Sequence, residues 1–178
     1  MGDYQNVWKH WKEQTLAFCL TVNGCLPPLS AYLGGVVSQE VIKAITKKYM
    51  PINSVYIHSC EEVLALEYGK LAEGDVQNYY QNTIKPDEKF KYNELKIILG
   101  EHVLKELQNT KLFMIGAGAI GCELLKNYAL LGIGAGEKGR IILTDPDVIE
   151  HSNLSRQFLF REKHIRKPKS ATAACAAL

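Results

Sequence analysis

The chain has 178 residues, of which 47% are hydrophobic and 22% charged, and its formal net charge is +2. That balance is ordinary for a globular protein with a core, and the length allows one medium domain or two small ones. So weak a positive charge gives no electrostatic case for nucleic acid or an anionic membrane, and no apolar run approaches transmembrane length.

Cysteine usage narrows the setting. Cys19, Cys25, Cys60, Cys122 and Cys175 are odd in number and contain no C-x-x-C pair, so neither a disulfide framework nor a zinc site is indicated. The first residues carry no apolar run of signal type. A reducing compartment is expected, the cytoplasm first and the nucleus second.

In chain order, Trp8, Trp11, Leu16 and Phe18 suggest a helix with an aromatic face. Pro27 and Pro28 mark a boundary, because proline suits the first turn of a helix, where its missing N–H would be unpaired anyway. Residues 29–48 then predict a helix, with Leu33, Val37, Val41 and Ile45 recurring on one face. Gly34 and Gly35 interrupt it at a cost in propensity, which implies a close backbone contact. Gln39 and Glu40 read as a solvated helix face. Alternation of Val55 and Ile57 predicts a strand over 54–58, and 61–71 reads as a short helix or an irregular loop. Residues 72–93 are polar, with Gly, Pro and Asn, and form the expected linker between a segment 1–71 and a segment 94–178. Within the second segment, 97–99 reads as a short strand and 101–108 as a helix with Val103, Leu104 and Leu107 turned inward.

The next stretch carries the chemistry. Residues 112–115 are a short apolar run of the kind a buried parallel strand needs. Gly116, Gly118 and Gly121 follow in G-x-G-x-x-G spacing. In that pattern the first glycine permits a tight turn, the second lets a phosphate approach the backbone, and the third lets a helix sit close to the strand. A helix from Ala119, with Ile120, Leu124, Leu125, Tyr128 and Leu131 apolar, would point its N-terminal N–H groups at the anion. A tight strand-to-helix turn without ligand is the plain alternative. Cys122 sits on the first helical turn, where a dipole would lower its pKa, but beside Gly121 it reads as a small packed spacer. Residues 140–144 form a second strand with Asp145 at its carboxyl end, the edge where doubly wound sheets hold their ligand. The fold class expected is α/β, a Rossmann-like doubly wound parallel sheet that is incomplete, preceded by a helical or mixed segment. To this point an NAD(P)-dependent oxidoreductase explains everything.

Three features do not suit a dinucleotide. Asp147 follows Asp145 across one proline, and two carboxylates so close suggest a hydroxyl binder beside a magnesium ligand, an ion that triphosphates recruit. Asn153, Arg156 and Gln157 gather two amides and a guanidinium, a planar fork suited to phosphate oxygens. Lys169, with Lys167 and Ser170 beside it, adds a second cation.

The strings GAGAIGCELLKN, TDPD, SNLSRQFLFR and KPKS resemble the active adenylation domain of ubiquitin-activating (E1) enzymes, within the wider ThiF and MoeB family. LPPLSAYLGGVVSQEVIKAITKKYMPI resembles the end of the inactive adenylation half, and KYNELKIILGEHVLKELQNTKLFMIGAG the entry to the active half. The likeness spans residues 26–178 and is weakest over 60–90. It implies ATP and Mg²⁺ as cofactors, with Gly116, Gly118 and Ala119 approaching the nucleotide through backbone. Asp145 would hold the ribose hydroxyls and Asp147 the magnesium ion. Asn153, Arg156 and Gln157 would contact phosphates, and Lys169 would neutralise their charge during attack, so that Arg156 and Lys169 are the catalytic candidates. The implied partners are ubiquitin or a ubiquitin-like protein and, for the full-length enzyme, an E2. Departures are Lys91-Tyr92-Asn93 where the family commonly has Arg-Tyr-Asp, and SNLSR in place of SNLNR. A non-catalytic partner subunit is a further alternative. With two strands after the glycine turn region and an Ala-rich end lacking a C-cap glycine, the chain is expected to be a fragment joining the two halves and inactive alone.

Overall fold

The computed structural model describes residues 7, 8, 11, 15, 24–58, 60 and 91–177. They fall into two compact units, Met1–Val103 and Leu104–Leu178. Of the expected aromatic helix, residues 7, 8, 11 and 15 are helical, and Leu16 and Phe18 lie outside the described residues, as do 61–71 and all but the end of the linker.

In the first unit, helix α1 (Pro27–Thr46) starts on its prolines as the sequence implies, and Lys47 closes it in the left-handed region at φ 54°. Glu40 does more than face solvent. Its carboxylate accepts from Lys43 Nζ at 2.6 Å and from the Ile52 N–H at 2.7 Å, which folds the chain after Pro51 back onto the helix. The Lys43 bond, then the Ile52 bond, hold the Glu40 carboxyl below its ordinary range.

Two expectations fail here. Residues 54–58 are irregular, with a bend at Ser54, and pair with no strand among the described residues. Their alternation has another cause: the Tyr56 hydroxyl meets that of Tyr32 on α1 at 2.5 Å and the His58 ring packs on Tyr32 at 4.6 Å, while Val55 and Ile57 face solvent. Period two therefore marks one side against a helix, with no ladder behind it. Gly34 and Gly35 have no described atom within 4 Å of where a Cβ would stand, so among the described residues the close contact they imply is not made.

Helix α2 (Asn93–Asn109) kinks at Gly100, whose φ of 76° is outside helical space. Residues 97–99 belong to it and are buried, which corrects the expected strand. A three-residue apolar run fits a buried helix turn as well as a buried strand, and periodicity cannot separate them.

The second unit is a parallel βαβ arrangement. Strand β1 (Lys111–Ile115) pairs with β2 (Arg140–Thr144) from Lys111↔Arg140 to Ile115↔Thr144, and helix α3 (Ala119–Leu131) supplies the crossover that parallel strands require. Short 3₁₀ turns follow at His151–Ser155 and Glu162–His164, then helix α4 (Lys169–Ala177), which packs on α3 and β2. Met114, Ala117, Cys122, Leu125, Ile149, Phe160 and Ala173 form the core, flanked by Ile141, Leu143 and Tyr128. The opposite sheet face is open: Phe113, Ile115 and Ile142 are 60%, 78% and 47% exposed. The strands thus read as doubly buried from their apolar runs, yet only one face is covered among the described residues. The buried stripe of α3 is also rotated from expectation. Gly121, Cys122 and Leu125 point inward, while Ile120 and Leu124 are exposed, because the helix approaches the strand on its glycine side.

Candidate nucleotide-binding site

The carboxyl ends of β1 and β2 carry the glycine turn and Asp145 side by side. Gly116 adopts φ 100°, which side chains other than glycine's rarely allow, and its N–H continues the ladder by donating to Thr144 O at 2.7 Å. A Cβ on Gly121 would stand 2.3 Å from the Gly116 carbonyl oxygen, so the third glycine sets how closely α3 meets the turn. Gly118 is the N-cap of α3, and no described atom lies within 4 Å of its Cβ position. The first two glycines thus leave an open backbone cradle at a helix N-terminus, a geometry that can receive an anion.

Asp145 is tied into the cradle. Its Oδ2 accepts the Ala117 N–H at 2.6 Å and its Oδ1 accepts the Asp147 N–H at 2.9 Å. Asp147 in turn meets Lys169: Nζ donates to Oδ2 at 2.8 Å. Backbone bonds clip the two segments together. The Lys169 N–H donates to Asp147 O at 3.0 Å, Ile149 N–H to Lys167 O at 2.9 Å and Arg166 N–H to Ile149 O at 2.8 Å. Glycine turn, Asp145, Asp147 and Lys169 therefore form one bonded series, although the sequence separates them by more than fifty positions.

Asn153, Arg156 and Gln157 share one turn, since the Asn153 carbonyl accepts the N–H groups of both others at 3.1 and 2.9 Å. Asn153 is buried, and its Oδ1 accepts the Glu150 N–H at 2.9 Å in a reciprocal cap with Glu150. The Glu150–Asn153 spacing is the signal that could have revealed this cap. Arg156 is exposed, its guanidinium steadied by a bond from Nη1 to Ser152 O at 2.8 Å. Gln157 is buried with its Oε1 unpartnered among the described residues. The turn lies along α3, where Lys126 Nζ sits 5.2 Å over the Phe158 ring.

Cys122 is fully buried, its thiol donating to Ala117 O at 3.6 Å, and burial pushes the thiol up despite a backbone bond from Leu159. It packs, as its place beside Gly121 implies. Cys175 is exposed and lines an open groove of about 370 Å³ with His164, Lys167 and Thr172.

Do these residues fit Mg-ATP? The open backbone at Gly118 and the cations Arg156 and Lys169 suit a polyphosphate, whereas the unpartnered Oε1 of Gln157 is an acceptor and calls for a donor. No group of three or more His, Cys, Asp or Glu among the described residues could hold a metal by itself. Magnesium commonly takes one or two carboxylates and completes its shell with phosphate oxygens and water, so Asp147 as hard oxygen donor fits that mode. No described helix is long and apolar enough to cross a membrane.

A parallel strand, glycine turn, helix and second strand ending in an acidic residue define a Rossmann-like α/β unit. Residues 91–178 match the ThiF family. Over 166 residues the chain is 46% identical to ubiquitin-like modifier-activating enzyme 6 of Mus musculus and 47% to that of Homo sapiens, covering 89% of this chain and 14% of each relative. Human ubiquitin-like modifier-activating enzyme 1 is 44% identical over 156 residues, 86% of this chain and 14% of that protein. Among solved structures, E. coli MccB with ATP aligns at 28% identity and a TM-score of 0.47, over 64% of this chain and 37% of that one. Residues 91–178 are a ThiF family domain, and over most of its length the chain is similar to the ubiquitin-like modifier-activating enzymes. It spans about one seventh of the length of these curated relatives.

Proposed function

We propose that this chain supplies the nucleotide end of an E1-type active site, in which Mg-ATP activates the C-terminal carboxylate of ubiquitin or a ubiquitin-like protein. The observation that carries the reading is the bonded series from Ala117 through Asp145 and Asp147 to Lys169, set at the carboxyl ends of two parallel strands. Residues 1–71 then correspond to the end of the inactive adenylation half, 72–93 to a linker, and 94–178 to the start of the active half.

In the reaction, a carboxylate oxygen of the modifier attacks the α-phosphorus of ATP. The bond to the bridging oxygen breaks, leaving an acyl-adenylate and pyrophosphate. Gly116, Gly118 and Ala119 offer backbone to the nucleotide, Asp145 reaches the ribose, and Asn153 and Gln157 line the phosphates. Arg156 and Lys169 balance charge that develops at the α-phosphate, in a site whose contribution is positioning and electrostatics. When bound, magnesium shields phosphate charge, and Asp147 would hold it. An E2 would receive the activated modifier from the full-length enzyme, in the cytoplasm or nucleus. The competing reading as an NAD(P) oxidoreductase rests on the glycine turn and Asp145 and gives Lys169 and Asp147 no task.

The test is ATP–pyrophosphate exchange in a protein of the relatives' length that carries this segment. Arg156→Ala and Lys169→Ala should each lower kcat by about 10²–10³ with a smaller effect on KM. A Lys169→Ala enzyme altered only in KM for ATP would make Lys169 a ground-state binder and remove its catalytic role.

A further inference from the structure

We infer that Lys169 is an internal stand-in for the divalent cation: in the free chain it neutralises Asp147, and it exchanges that carboxylate for nucleotide phosphate when nucleotide binds. The inference rests on the proposed Mg-ATP function and adds a coupling between the two ligands.

The pair is lopsided. The Lys169 side chain is only 9% exposed, whereas that of Asp147 is 65% exposed. Lys169 is also the first residue of α4, and its backbone N–H donates to Asp147 O, which keeps the two residues adjacent. A buried ammonium without an anion is costly, and Lys169 therefore needs one at all times. Asp147 supplies it at 2.8 Å. Each oxygen of Asp145 accepts a backbone N–H, and the ion pair that Lys169 makes is to Asp147.

One cation thus serves two anions in turn. While Lys169 holds Asp147, that carboxylate has little charge to offer a metal. A triphosphate brings stronger, charge-assisted acceptors and takes the ammonium. Asp147, already facing solvent, is then released as a hard oxygen ligand without backbone movement. Nucleotide and metal consequently bind with positive coupling, and reciprocity requires the same factor in both directions.

The full chain tests this with binding alone. Calorimetry in EDTA should show that Asp147→Asn tightens metal-free ATP by at least about fivefold, the lower end of ordinary coupling. Electron paramagnetic resonance should show that Lys169→Met raises affinity for Mn²⁺ without nucleotide by a similar factor, while its metal-free ATP affinity falls. Lys169→Arg should restore the wild-type pattern. A merely structural pair would instead weaken both ligands in both variants, which would overturn the inference. If either variant fails to fold, the wild type still decides. Metal-free ATP should move the carboxyl carbon resonance of Asp147 toward that of a free carboxylate, and saturation with ATP without that movement would overturn the exchange. Wild type that binds no ATP, with or without Mg²⁺, would sink the proposed function and this inference together.

Discussion

At the scale of single residues, the glycines separate by what a methyl group would meet. On Gly121 it would run into the Gly116 carbonyl, a backbone atom that cannot give way, whereas on Gly118 it would enter open space. Gly121→Ala should therefore destabilise the second unit by about 1–3 kcal/mol, an overpacking cost visible as a lower Tm. Gly118→Ala should leave Tm near wild type and weaken ATP binding, because it narrows the phosphate approach. His164 gives a second prediction. Its Nδ1 accepts the Arg161 N–H at 3.2 Å, and desolvation, then Lys163, Lys167 and Arg161, hold its pKa below the ordinary value. The folded chain thus binds fewer protons than the unfolded one just below the ordinary histidine pKa of about 6.5. Stability should be fully present above that pH and decline as pH falls through it toward the depressed folded value. An NMR titration of the ring, with amide exchange at Arg161 rising over the same range, checks the sign.

At the scale of elements, β2 was legible from the sequence to the residue, β1 to within one position, and α3 by its start near Ala119. The glycine spacing and an acidic residue after an apolar run leave few other solutions. Which face of α3 is buried was not legible, because apolar residues lie all round it and the choice is made by Gly121. The misread 97–99 and 54–58 share a cause: short apolar patterns report burial on one side, and the partner that decides helix or strand lies elsewhere. The bonding of Asn153 was missed, although the Glu150–Asn153 spacing carries its signal. Its side chain caps the turn that presents Arg156 and Gln157, so Asn153→Ala should cost about 0.5–2 kcal/mol as a lost cap. Asn153→Asp keeps an acceptor and should retain most of that stability. Equal melting of Asn153→Ala and wild type would show that the cap carries no weight.

At the scale of the molecule, the site residues of the second unit come together through tertiary bonds that spacing cannot reveal. The pairing of Lys169 with Asp147 is the main example; from the sequence, one was a phosphate neutraliser and the other a separate metal ligand. Composition correctly indicated a core, yet Phe113, Ile115 and Ile142 leave one sheet face open. Positioning of the attacking carboxylate can contribute up to about 7–11 kcal/mol, and the chain spans only 14% of its relatives. Incubated alone with ATP, Mg²⁺ and ubiquitin, it should release no pyrophosphate above background and form no thiol-sensitive conjugate. A conjugate abolished by Cys122→Ser or Cys175→Ser would contradict this; Cys122 is buried, while Cys175 shares its groove with His164.

The central claim is that residues 116–169 bind Mg-ATP. Amide chemical-shift mapping of the chain addresses it most directly. Mg-ATP should shift Gly116, Gly118, Ala119, Asp145, Asp147, Asn153, Gln157 and Lys169 in one saturable process, and NAD at the same concentration should leave them in place. Saturation of those resonances by NAD, or ATP shifts confined to other residues, would contradict the claim.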